Sequence, residues 1–210
     1  AIGTRGEESV WYGVPYLGSR LSVGSLPHGD LDRLKRGDTG RTLAQHMAEL
    51  GFDPEALKAE AEPYVTPKTT KAFLELHIEQ GPILIGEAIP VGIPTAIRGQ
   101  ARWPFARCVG AYDHSAAVPR AYRRDAVLAS VELVGALEAL WHEMEAEGIP
   151  NLVFTVGKLF TNAQEHAMTK VPGECDFSLN FGGTDAPVLD RVRARVVELA
   201  EEIAAKRNVV

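Results

Sequence analysis

The order in which apolar periodicity switches between strand and helix over the second half of the chain limits the fold more than any other feature. Gln100 to Val109 has strand character, and Pro104 within it assigns that strand to a sheet edge. Arg123 to Glu147 predicts the longest helix. Val127, Val131, Val134, Leu137, Trp141 and Met144 recur on one face at helical spacing, and Gly148 ends it. Leu152 to Phe160 and Cys175 to Phe181 predict two more strands. Thr184-Asp185-Ala186-Pro187 then caps a final helix with an apolar stripe of Leu189, Val192, Val196, Leu199 and Ile203. Strand, helix, strand, strand, helix is most of a ferredoxin-like α/β sandwich, with both helices expected on one sheet face.

The first half is punctuated differently. Residues 1–27 are rich in glycine and proline and predict turns and short strands. Residues 30–62 predict short helices, one capped by Thr42 and ended by Gly51, another begun by Asp53-Pro54. Phe73-Leu74-Glu75-Leu76-His77-Ile78 predicts a buried strand that stops at Gly81-Pro82. His77, between apolar neighbours, reads either as a core histidine bonded to a neighbour or as a metal ligand for zinc or manganese. The character changes near Gly99, giving expected domains of 1–98 and 99–210.

Composition excludes some functions. A net charge of −6 argues against nucleic acid or an anionic membrane as partner. No apolar run approaches the roughly 20 residues of a membrane span, and no charged-then-apolar leader opens the chain. Cys108 and Cys175 fit no metal or redox spacing and suggest a reducing compartment, so the cytoplasm is expected.

Leu76-His77-Ile78-Glu79-Gln80-Gly81-Pro82 resembles a signature of the carbamoylase branch of the M20 metallopeptidase-like family. Glu7-Glu8, Gly13-Val14-Pro15 with Leu17-Gly18-Ser19-Arg20, Thr95 to Gln100, Arg123-Arg124-Asp125-Ala126 and Val171-Pro172-Gly173-Glu174 follow in the family's order. The resemblance covers nearly the whole chain, as about the middle half of a full-length enzyme. It implies a partial M20-type catalytic domain followed by a ferredoxin-like lid domain that carries a homodimer contact. It implies a metal-dependent amidohydrolase acting on a carbamoyl or linear amide C–N bond of a small amino-acid-derived substrate.

A bare Glu-Glu pair reads as two solvated surface acids. The resemblance makes Glu7 the general base, Glu8 and His77 ligands of zinc or manganese, and Gln80 a substrate-side polar group. His114 reads as a loop histidine capping backbone or, by resemblance, as the lid histidine that polarises the scissile carbonyl. His28-Gly29-Asp30 imitates a metal motif but reads as a surface turn.

The chain departs from the family in several places. Ser9-Val10-Trp11-Tyr12 follows the acid pair where Gly-Ser-Arg-Phe is usual. Thr169 stands at a substrate-binding asparagine position, and Asn180-Phe181-Gly182-Gly183 replaces Asp-Ile-Arg-Ser. Gly182 thus occupies the place of an arginine that binds a substrate carboxylate, with Lys170 as a possible point-charge substitute. The upstream histidine and bridging aspartate, and the terminal histidine, have no counterpart. A second reading is therefore a non-catalytic dimerisation or regulatory module.

Overall fold

The computed structural model describes residues 3–8, 10–59 and 62–210. Ser9, and residues 60–61 at the end of the expected helical stretch, lie outside the described residues. The chain divides into two compact units, residues 1–82 and 83–210. The division precedes Gly99, where the sheet of the second unit begins.

The first unit is helical where it is ordered by burial. Its helices are α1 (Leu17–Ser22), α2 (Asp30–Arg33), α3 (Leu43–Glu49) and α4 (Pro54–Lys58). Residues 17–22, expected as turn or strand, form α1 because Leu17 and Leu21 reach a small core with Leu26, Leu31, Leu34 and Leu43. Thr42 and Gln45 close a capping box on α3, and the Asp53 carboxylate accepts from the amides of Glu55 and Ala56 at the start of α4.

Phe73–Ile78 is neither buried nor a strand. Leu74 is 93% and Leu76 98% exposed, and the segment joins no sheet among the described residues. Leu74, Leu76 and Ile78 do alternate with Glu75, His77 and Glu79, which is the pattern of a half-buried strand. A strand, however, is defined by bonds to a neighbour, and the described residues of this unit supply no sheet edge to pair with it.

In the second unit a short α5 (Ile83–Gly86) precedes β1 (Gly99–Val109). There follow β2 (Asp113–His114), a 3-10 turn (Arg120–Tyr122), α6 (Ala126–Ala146), β3 (Val153–Thr161), β4 (Lys170–Val171), β5 (Glu174–Gly183) and α7 (Ala186–Arg207). The main sheet is antiparallel in the order β1-β5-β3, and β2 pairs with β4 separately. Pro104 sits on an edge strand, where the β1–β5 register breaks between Trp103 and Ala106, as a residue without an amide proton requires.

Every second residue of β5, Cys175 to Phe181, is buried, and α6 and α7 pack on that face and on each other. Both helices thus lie on one side of the sheet, as the sequence pattern predicts. The core face of α6 differs from the expected one. Ala129, Ser130, Leu133, Leu137, Leu140 and Met144 turn inward, while Val131 is half exposed. The helix is apolar nearly all round, so periodicity alone does not choose its buried side. The α7 stripe is buried as expected, because its other face is charged.

The two helices are also tied by charge. Arg191 makes a bidentate pair with Glu147, and Lys206 and Arg207 both reach Glu132. Hydrogen bonds from Lys206 and then Arg207 hold the Glu132 carboxyl below its usual value of 4.5. A folded pKa below the unfolded one contributes stability that is present above the unfolded value and lost as pH falls through the folded one. We therefore expect stability to decline below about pH 4.5 with a component that Glu132→Gln removes. Urea midpoints of both proteins between pH 3 and 6 test this, and equal slopes would refute it.

Candidate functional site

The acid pair sits on a loop held by the start of α1. The amides of Tyr16, Leu17 and Gly18 donate to the carbonyls of Glu7, Gly6 and Arg5 at 2.8, 3.0 and 2.9 Å. These are the donors that a helix N-terminus leaves without intrahelical partners. Gly18 permits the contact, since a Cβ there would lie 2.6 Å from the Arg5 carbonyl oxygen. Gly6 turns the loop with a φ of 67°. The Glu7 and Leu17-Gly18 motifs are therefore one structural device, although nine residues lie between Glu7 and Leu17.

On that loop Glu7 is half-buried and Glu8 exposed. Glu7 Oε2 is buried without a hydrogen-bond partner among the described residues. A buried carboxylate oxygen with no donor is uncommon and calls for an explanation. Downstream, the aromatic departure from the family pattern is anchored: the Trp11 carbonyl accepts from Gly37, and the Arg36 guanidinium stacks 4.1 Å from the Trp11 ring.

The structure does not assemble the expected ligand set. His77 is exposed, with Nδ1 2.5 Å from the carbonyl oxygen of Ile78, and Gln80 is exposed at a φ of 58°. Among the described residues no three His, Cys, Asp or Glu side chains come together as a metal site. Glu7, Glu8 and His77 therefore form no three-donor cluster, and on their own do not make a zinc or manganese site. The physical reason is the exposed 73–78 segment: without sheet pairing nothing draws His77 toward the acid loop.

In the second unit the structure brings His114 and Thr169 together. His114 pairs with Lys170 in the β2–β4 ladder, and the Ser115 amide donates to the Thr169 carbonyl at 3.0 Å. His114 Nδ1 accepts from the Ala116 amide at 3.2 Å, which leaves Nε2 to carry the proton of the neutral ring. Arg123 clamps the loop by donating to the carbonyls of Val118 and Ser115. Asp125 caps α6 through the Leu128 amide, and Arg124 reaches the Asn208 carbonyl. Within the motif Arg123 thus holds the His114 loop, while Arg124 and Asp125 bind backbone groups elsewhere in the unit.

Val171-Pro172-Gly173-Glu174 has a similar role. A Cβ on Gly173 would lie 2.6 Å from the Tyr112 ring, and the Tyr112 hydroxyl and Asn162 amide both donate to Glu174. The Asn162 bond first, then Tyr112, holds the Glu174 carboxyl low. Burial, then Glu174, pushes the Tyr112 hydroxyl up. Lys170 is committed to Glu165 at 2.7 Å and lies over the Tyr112 ring.

Gly182 lies at the other end of β5. The eight residues from Glu174 span about 26 Å at roughly 3.3 Å each, so one chain cannot apply His114 and position 182 to one small molecule. Lys170 cannot stand in for the missing arginine at that distance. A cationic side chain beside the gap is one that the sequence reading placed only within the Thr95 to Gln100 motif, with no role assigned. Arg98 Cδ lies 3.8 Å from where a Cβ on Gly182 would be, and its Nε donates to the Asn151 carbonyl at 3.1 Å. Nearby, Asn180 Oδ1 is buried without a partner among the described residues. Arg98 precedes β1 in sequence, so only cross-strand pairing of Gly99 with Gly183 reveals it.

No family model matches the chain. It is 34% identical to an N-carbamoyl-L-amino acid amidohydrolase of Geobacillus stearothermophilus, over 97% of this chain and 46% of that protein. It is 32% identical to a ureidoglycolate hydrolase of Arabidopsis thaliana, over 97% of this chain and 42% of that one. An amidase of the hydantoinase/carbamoylase family from Burkholderia phymatum superposes with a TM-score of 0.77 at 27% identity, covering 95% of this chain and 46% of that one. The chain spans about half the length of the curated relatives it matches.

The mixed helix and sheet fold of this chain is thus the fold of a portion of these carbamoylase-family proteins. The chain belongs to the carbamoylase branch of the M20 metallopeptidase-like family.

Proposed function

We propose that this chain is the base-bearing and lid-bearing portion of a metal-dependent amidohydrolase, acting on a carbamoyl or linear amide C–N bond of a small amino-acid-derived substrate. The observation that carries the reading is the match to enzymes named for such reactions along 97% of the chain. The fold reading is a partial M20-type catalytic domain at 1–98 and a ferredoxin-like lid at 99–210. In a site completed by further donors, the metal would supply an activated water. This chain's own part is then to take a proton at the buried Glu7 carboxylate, and to offer Nε2–H of His114 to a developing oxyanion.

The test is a chimera in which this chain replaces the matching span of the Geobacillus relative. Hydrolysis of N-carbamoyl-amino acids is expected, with Glu7→Gln lowering kcat by about a hundredfold or more. A folded chimera without turnover favours the second reading, a dimerisation or regulatory module. The absence of a three-donor cluster among the described residues, and Gly182, support that alternative.

The lid also carries a reading as a homodimer contact. Leu128, Val131, Gly135 and Ala139 form an exposed apolar stripe on the outer face of α6. A second copy packing helix against helix would cover it. Val131→Glu is expected to convert a dimer to a monomer in sedimentation, and an unchanged dimer would discard this face.

A further inference from the structure

Cys108 and Cys175 are 67 positions apart, yet they are direct register partners on the antiparallel strands β1 and β5. Opposed residues put their side chains on the same face, here the one under α6, where Cys108 is 8% and Cys175 1% exposed. Ser130, 1% exposed on the α6 face that covers them, donates its hydroxyl to the Ala126 carbonyl at 2.8 Å. The register pairing itself puts the two sulfurs beside each other on one face. Directly opposed antiparallel residues have Cα atoms about 4.5–5.5 Å apart, inside the range of about 4.4–6.8 Å that a disulfide spans. Closure therefore needs side-chain rotation and no change of register.

We infer that Cys108 and Cys175 form a dithiol couple that a hydroperoxide closes into a disulfide, stapling β1 to β5 at the end of the sheet next to the His114 loop. The Cys108 thiolate, the more exposed, attacks a peroxide oxygen: an S–O bond forms, the O–O bond breaks and hydroxide leaves as water. Cys175 then attacks the Cys108 sulfenic sulfur: the S–S bond forms, the S–O bond breaks and the second oxygen leaves as water. Two thiols lose two electrons and two protons, and one hydrogen peroxide becomes two waters. Burial pushes both thiols up, so the couple rests as the dithiol.

The test treats the native chain with hydrogen peroxide, then unfolds it, alkylates free thiols and maps peptides without reductant. Thiols are read and not intact mass, because Met168 is 98% exposed and oxidises separately. The expected result is loss of both thiols together, a cross-linked 108–175 peptide, and recovery of both with dithiothreitol. In Cys175→Ser the Cys108 sulfenic acid should persist and take up dimedone, while the native pair takes up none. Oxidation of one cysteine alone, dimedone on Cys108 of the native chain, or two thiols that survive while an unfolded control reacts would overturn the couple. Should the variant fail to fold, the native chain decides the matter alone.

Discussion

The chain by itself, supplied with zinc or manganese, is expected to hydrolyse N-carbamoyl-amino acids negligibly. Two independent deficits lead there. Metal-assisted hydrolysis needs an ion that lowers the pKa of a bound water, and such ions are held by several donors at once. Glu8 and His77 are both exposed, and no three candidate donors meet among the described residues. The second deficit is positional. Gly182 offers no side chain to hold a substrate carboxylate, and misplacement alone costs about a hundredfold in rate.

Restoring the arginine should not restore activity, because the first deficit remains. Gly182→Arg also meets a steric obstacle: a Cβ there would lie 2.9 Å from Val153 Cγ2 and beside Arg98. The measurement is ammonia release from several N-carbamoyl-amino acids with each metal. Turnover at rates of about 1 per second or more that vanishes in Glu7→Gln would show a working site assembled by another arrangement.

Phe181→Ala is expected to destabilise the second unit by about 3–5 kcal/mol. Phe181 is fully buried near the end of β5, the central strand of the sheet, in the core shared with both long helices. Its ring stacks on Phe154, its register partner on β3, with centroids 4.5 Å apart and planes 21° from parallel. Removing it leaves a ring-sized cavity between elements that cannot collapse, since β5 is bonded on both edges. A domain's total stability is only about 5–15 kcal/mol, so the variant should be partly unfolded at body temperature. Urea unfolding followed by circular dichroism checks this, with Val197→Ala on the exposed face of α7 as a control expected to change by under about 0.5 kcal/mol. A Phe181→Ala midpoint close to the control's would mean that the sheet–helix interface is not the core.

The second unit was largely legible in the sequence. Gly148, Asp185 and Pro104 are local instructions: a left-handed stop, a cap and a residue that cannot donate. Each acts through its own backbone and needs no distant partner. The same is true of the Thr42 box and the Asp53 cap. The one-sided stripe of α7 identified its own buried face because its remaining positions are charged.

What only the tertiary structure decided depends on partners that sequence distance hides. The burial side of α6 was chosen by β5, since an all-round apolar helix has no preferred face of its own. Phe73–Ile78 carries strand periodicity but stands exposed, because alternation prepares a strand and only a neighbouring edge can bond one. With it, His77 joins no three-donor cluster among the described residues. The Cys108–Cys175 pairing, Arg98 beside Gly182, and the strand-length gap between His114 and position 182 are all consequences of register. Register is a property of two strands together, and a single linear pattern does not contain it.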